Sequence, residues 1–217
     1  MYKLFRTIIL GTSLLLFAQV VPSAYAGNIV PLLDLIGGGM AVVPLADAVG
    51  GWSFHIDHPL TIGAVGLWDE GKLPLSISHE VGLWTANQTL LLDVFVDNTG
   101  VPVASASPDG QWLFTPVAPF TLQASDYVMA AVWGDPINGA DPFRIMTHAV
   151  TNGLTYTAQC GKFLLNGLQL VFPDCGGGSL TDASYFGPNL AVVVPEPSTF
   201  ALVAIGLGGI IRRSWQR

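Results

Sequence analysis

Positive charge is scarce in this chain. Lys and Arg total 8 of 217 residues against 15 Asp and Glu, and five of the eight, Lys3, Arg6, Arg212, Arg213 and Arg217, lie at the two extremities. Between Gly27 and Val194, fourteen acids face only Lys72, Arg144 and Lys162, a net charge of about −11. A nucleic-acid partner needs basic surface to displace counterions from phosphates, so that class is excluded. Divalent cations and neutral polymers suit such a surface better. Cysteine is nearly absent: Cys160 and Cys175 stand alone, without a nearby His at zinc-site spacing. An even count in an oxidising compartment favours a disulfide, and closing a loop of 15 residues contributes about 3 kcal/mol in the chain-entropy model. Catalytic signatures are missing too: there is no nucleophile elbow, zincin helix, Cys/His pair or phosphate loop, and no cofactor is expected.

What is present begins with the two ends. The last residues read Pro195-Glu196-Pro197-Ser198-Thr199, an uncharged run from Phe200 to Ile211, then Arg212, Arg213 and finally Arg217. The run is apolar enough to enter lipid, and the arginines cannot follow it across, so they are expected to stay in the cytoplasm with everything before Pro195 on the far side. Thr199 to Ile211 spans 13 residues. As a helix that is about 20 Å, short of a hydrocarbon core of about 30 Å. This short span, with its Pro-Glu-Pro lead and basic tail, resembles the PEP-CTERM sorting signal, the substrate signal of exosortase-type membrane peptidases in Gram-negative bacteria. The tail departs from the pattern where Ser214-Trp215-Gln216 interrupts the basic cluster. The resemblance implies a short transmembrane sorting helix held transiently in the inner membrane and cleavage near Pro195-Glu196-Pro197. Delivery to the cell surface or an exopolysaccharide matrix would follow.

The other end agrees. Lys3 and Arg6 form a positive n-region, Thr7 to Val21 a mostly apolar h-region, and Ala24-Tyr25-Ala26 a small-x-small site. Signal peptidase is expected to cut after Ala26. The chain therefore divides into a signal peptide (1–26), an irregular Gly-rich lead (27–51), a β domain (52–194) and the sorting signal (195–217).

From Trp52 the pattern takes period two. Trp52, Phe54 and Ile56 share one face while Ser53 and His55 share the other, which predicts a half-buried strand. Further strands are expected at Ile62 to Trp68, His79 to Trp84, Leu90 to Val96, Gln111 to Val117, Tyr127 to Trp133, Phe143 to Thr147, Thr155 to Gln159, Gly167 to Phe172 and Leu190 to Val194. Turns such as Asn98-Thr99-Gly100 and Pro108-Asp109-Gly110 punctuate them. About ten short strands without a helix between the targeting ends predict an all-β, antiparallel β-sandwich, with jelly-roll order one option. The stretches Thr61 to Asp69, Ser78 to Trp84 and Tyr127 to Ala131 resemble an extracellular β-sandwich domain found in other sorted proteins. That resemblance implies a fold and an address, and no reaction.

Three groups of residues are candidates for chemistry. His55, Asp57 and His79 are the concentration of potential metal ligands, though strand, turn and loop-backbone roles explain them better and no metal is expected. The Asp135 to Asp141 loop matches no calcium signature. Trp68 and Trp84, at strand ends beside polar loops, are the indoles placed to stack on sugar rings. Three functional readings follow: a non-enzymatic structural or adhesive matrix protein, a carbohydrate-binding module for exopolysaccharide, and a small hydrolase whose paired carboxylates leave no sequence signature.

Overall fold

A computed structural model describes residues 27–195, apart from Asn138, Met146 and 178–184. In chain order the strands are β1 (Gly27–Pro31), β2 (Leu33–Gly37), β3 (Met40–Val42), β4 (Ala48–Ile56), β5 (Leu60–Glu70), β6 (His79–Thr85), β7 (Leu90–Val96) and β8 (Val101–Ala104). They continue with β9 (Gly110–Leu122), β10 (Ser125–Trp133), β11 (Phe143–Ile145), β12 (His148–Thr151), β13 (Thr155–Phe163), β14 (Asp174–Cys175) and β15 (Pro188–Pro195). No helix occurs among the described residues.

Five strands form one sheet in the order β1-β15-β5-β9-β8, and six form the other in the order β14-β13-β4-β10-β6-β7. Two small ladders, β11 with β3 and β12 with β2, flank them. All the pairings are antiparallel. The period-two reading of β4 holds: Trp52, Phe54 and Ile56 are fully buried while Ser53 and His55 are half-buried. They meet Tyr127, Met129 and Trp133 of β10 and, from the opposite sheet, Ile62 of β5 and Phe114 of β9 in one core. An indole can be buried only if its N–H finds an acceptor. Trp52 donates to the Pro188 carbonyl at 2.9 Å and Trp112 to Asp34 Oδ1 at 3.0 Å, while Trp68 donates to Glu70 Oε2 at 2.7 Å. The Trp52 bond crosses from the six-stranded to the five-stranded sheet and the Trp112 bond reaches the β2 ladder, so these indoles join layers as well as filling them.

Two expectations need correction. The stretch 27–51 is not irregular: it holds β1, β2 and β3 and the start of β4. Their partners lie more than a hundred residues later, Val30 opposite Val192, Asp34 opposite Val150 and Ala41 opposite Arg144. Strands this short, separated by three glycines with φ of 116°, 79° and 73° at Gly37, Gly38 and Gly39, show no local period. The second correction concerns Gly167 to Phe172, which forms no strand. Instead Leu164, Leu170, Val171 and Phe172 lie over the outer face of the six-stranded sheet and make a second core with Val49, Trp84, Ala130 and Val132. An apolar run laid across a sheet face and one paired into a sheet read alike in sequence.

That covering segment is closed by a disulfide. Cys160 and Cys175 are bonded to each other and are register partners between β13 and β14. The bridge spans the 15 residues that carry the cover of Trp84, so its loss acts on the second core first. We expect no free thiol in the unreduced protein and a melting midpoint lowered by several degrees in Cys160→Ser, corresponding to about 3 kcal/mol. Tryptophan emission should shift to longer wavelength in that variant and shift less in Cys160→Ser combined with Trp84→Phe.

Candidate functional site

The strand registers give the sandwich two distinct ends. At one, β4 passes to β5 through residues 57–59 and β9 to β10 through residues 123–124. Gly27 and Pro195 pair there, at the free end of β15. The opposite end gathers the buried polar side chains, and its centre is Arg144.

Arg144 sits on β11, whose backbone bridges to Phe186, and is 7% exposed. Its Nε donates to Glu70 Oε2 at 2.8 Å and its Nη2 to Glu70 Oε1, a two-point grip on one carboxylate. Its Nη1 donates to the Gly38 carbonyl at 3.1 Å and lies 3.0 Å from Asp109 Oδ2. Hydrogen bonding to Glu70 raises the guanidinium's pKa, outweighing burial, which opposes it. Glu70 Oε2 also takes the Trp68 indole N–H. One cation thus ties the glycine turn, the end of β5 and the turn before β9. Beside it, Asp69 is buried with Oδ2 accepting from Gln111 at 2.7 Å and Oδ1 without a partner. Burial pushes its carboxyl up.

A second cluster links the loops at the same end. His79 is fully buried, with Nδ1 donating to the Val132 carbonyl at 2.7 Å and Nε2 at 2.8 Å from Asp141 Oδ2. Asp141 also accepts from the Ser76 backbone N–H at 2.9 Å and the Ser76 hydroxyl at 2.8 Å. Burial alone would raise the Asp141 carboxyl, but the bonds from His79 and Ser76 and the charge of His79 together hold it below the ordinary range. The residue types are those of a catalytic triad, yet the connectivity is wrong for one. A nucleophilic serine must bond the imidazole, whereas Ser76 bonds the carboxylate and both ring nitrogens are already engaged. The cluster fastens the loop carrying Asp141 to the segment before β6.

The residues singled out in the sequence fare differently. His55 lies 2.8 Å from Asp126 and 3.5 Å from Asp57 in an exposed network, so two of the three metal candidates do approach each other. His79 does not join them. His55 pairs opposite Asp126 at the start of β10, whereas His79 touches Trp133 and Val132 at its end, roughly 23 Å along the strand. No group of three or more His, Cys, Asp or Glu able to hold a metal occurs among the described residues. Trp68 is 0% and Trp84 4% exposed, which corrects their assignment as sugar-stacking faces. Trp68 meets Trp112 edge-on at 5.1 Å, and Trp84 meets Phe172 edge-on at 5.9 Å. Ala24, Ala26, Glu196, Pro197, Arg212, Arg213 and Arg217 lie outside the described residues, and Pro195 is the last residue of β15.

A cavity of about 480 Å³, walled by Val42, Val49, Trp133, Phe143 and Tyr185, has Gln159, Lys162 and Asp174 as its polar lining. Lys162 and Asp174 form an exposed pair at 3.9 Å, and neither Asp69 nor Asp141 reaches this space. It holds no grouped acid, base and nucleophile.

An all-β, disulfide-bridged body whose final strand is followed, after Glu196-Pro197-Ser198-Thr199, by an apolar run and an arginine tail has the layout of an exported domain with a terminal sorting signal. Residues 193–217 match the PEP-CTERM protein-sorting motif, which marks the chain as an exported protein sorted by an exosortase, with transient membrane association. No curated protein and no solved structure matches the chain.

Asp141 and Asp69 give opposite pH signatures. Asp141 is held below its unfolded value of about 3.9, so its contribution is complete above that pH and is lost as pH falls through the folded value. Asp141→Asn should therefore cost about 3 kcal/mol at pH 7 by urea unfolding, and the difference from wild type should vanish in acid. Asp69, raised by burial, destabilises the folded state as pH rises above about 3.9, so Asp69→Asn should gain on wild type with rising pH. Differences independent of pH would contradict both assignments.

Proposed function

We propose that the body acts outside the cell as a non-enzymatic structural or adhesive component of the cell surface or biofilm matrix, placed there by an exosortase-type peptidase after signal peptidase has removed residues 1–26. The observation that carries this reading is the sorting motif at residues 193–217 joined directly to β15. Support comes from how the polar side chains are used. The charged groups most suited to chemistry, Arg144, Glu70, His79 and Asp141, are engaged with one another and hold loops in place. The surface left for partners is acidic and poor in cations, which suits a neutral exopolysaccharide or a divalent-ion bridge to one better than an anionic polymer. Sugar stacking on Trp68 and Trp84 forms no part of this reading, because both indoles are enclosed.

Mass spectrometry of the surface form tests it. Its first residue should be Gly27, and the chain should end near Pro195-Glu196-Pro197. A surface form that keeps Arg212 to Arg217 in a strain possessing the peptidase would overturn the proposal.

A further inference from the structure

The sorting motif and the fold overlap, and the overlap fixes how the body must sit. The matched residues begin at 193, whereas β15 continues to Pro195, so the first three residues of the motif are strand residues of the folded body. Beyond Pro195 the apolar run begins at Phe200, five residues on, a reach of at most about 18 Å for an extended chain. By comparison β5, with 11 residues running from one end of the sandwich to the other, is about 36 Å long. A tether shorter than the body cannot let either end face the bilayer at will.

Register adds a second constraint. Gly27 pairs with Pro195, so the residue expected to follow signal cleavage and the residue that opens the Pro-Glu-Pro sequence lie about 5 Å apart. Close-packed helices stand 8–10 Å apart, so two membrane segments leaving from this pair can enter the bilayer side by side. Charge points the same way. The end near Pro195 carries Asp57 and Asp126, with His55 between them. The far end carries Asp47, Asp69, Glu70, Asp97, Asp109, Asp135 and Asp141 against Lys72, Arg144 and Lys162, the last opposite Val49 near the start of β4. An anionic membrane surface repels the second end more strongly than the first.

We propose that the precursor docks end-on. The end formed by Gly27, Pro195 and the turns at 57–59 and 123–124 lies against the membrane face where the sorting peptidase acts. The end built around Arg144 points outward. This orientation rests on the reading that the apolar run from Phe200 to Ile211 is a membrane segment until the sorting signal is cut.

Site-specific labelling of the full chain tests it, in cells lacking the peptidase so that the precursor keeps its terminus. Gln123 and Leu73 are both exposed, one at each end. With a reach of about 18 Å leaving little room for a bulky, membrane-impermeant maleimide polymer, Gln123→Cys should react about tenfold more slowly than Leu73→Cys on spheroplasts. Once the precursor is dissolved in detergent, the two rates should become similar. Similar rates on spheroplasts, or a slower Leu73→Cys, would overturn the orientation. A precursor that keeps residues 195–217 yet is absent from the membrane fraction would instead overturn the sorting reading, and the orientation with it.

Discussion

One guanidinium holds much of this structure in register. The body has almost no positive charge to spare, yet it places Arg144 inside, within reach of Glu70, Asp109 and the Gly38 carbonyl. An ion pair with little water around it is favourable only when its remaining hydrogen-bonding groups are also satisfied. Here Glu70 takes the Trp68 N–H as well, and Trp68 in turn packs on Trp112, whose own N–H goes to Asp34 of β2. The glycine turn, β2, β5, β9 and β11 are therefore linked through a chain of hydrogen bonds and one ring contact that starts at a single side chain. Without the guanidinium, Glu70 would be a half-enclosed carboxylate among acids, next to Asp69, whose own Oδ1 has no partner.

The pattern that could be read from sequence was the local one. Alternation in Trp52-Ser53-Phe54-His55-Ile56 announces an inner and an outer face, and β4 has both. The limits of β7 likewise follow from its apolar run and the turn at Asn98 to Gly100. Burial of Trp68 and Trp84 was illegible because what covers them is distant in sequence. Trp112 of β9 packs edge-on against Trp68, and Phe172 arrives over Trp84 from a segment that no periodicity marks as a cover. A glycine was the available hint: Gly82 leaves the space that the Trp84 ring fills, since a β-carbon there would lie 2.4 Å from the indole. The meeting of His79, Ser76 and Asp141 was equally hidden, because it depends on two long loops closing on one another at the same end of the sheets.

The pairing of the termini shows what local patterns leave out. Neither the apolar tail nor the signal-like leader indicates where the other will be, and residues 27–31 carry no period of their own. Only the assembled sheet sets Gly27 beside Pro195, with β15 between β1 and β5. Main-chain pairing to β5 covers Pro188 to Ala191, so the last stretch of β15 is held along its backbone by β1.

This arrangement has a mechanical meaning. A load applied to the outer end of the body, and resisted at Pro195, pulls β15 along its own axis, while its hydrogen bonds to β1 and β5 run across that axis. The bonds then share the force in shear and must give way together, whereas a strand peeled from its tip would release them singly. A domain fastened at this point resists traction with its whole ladder at once.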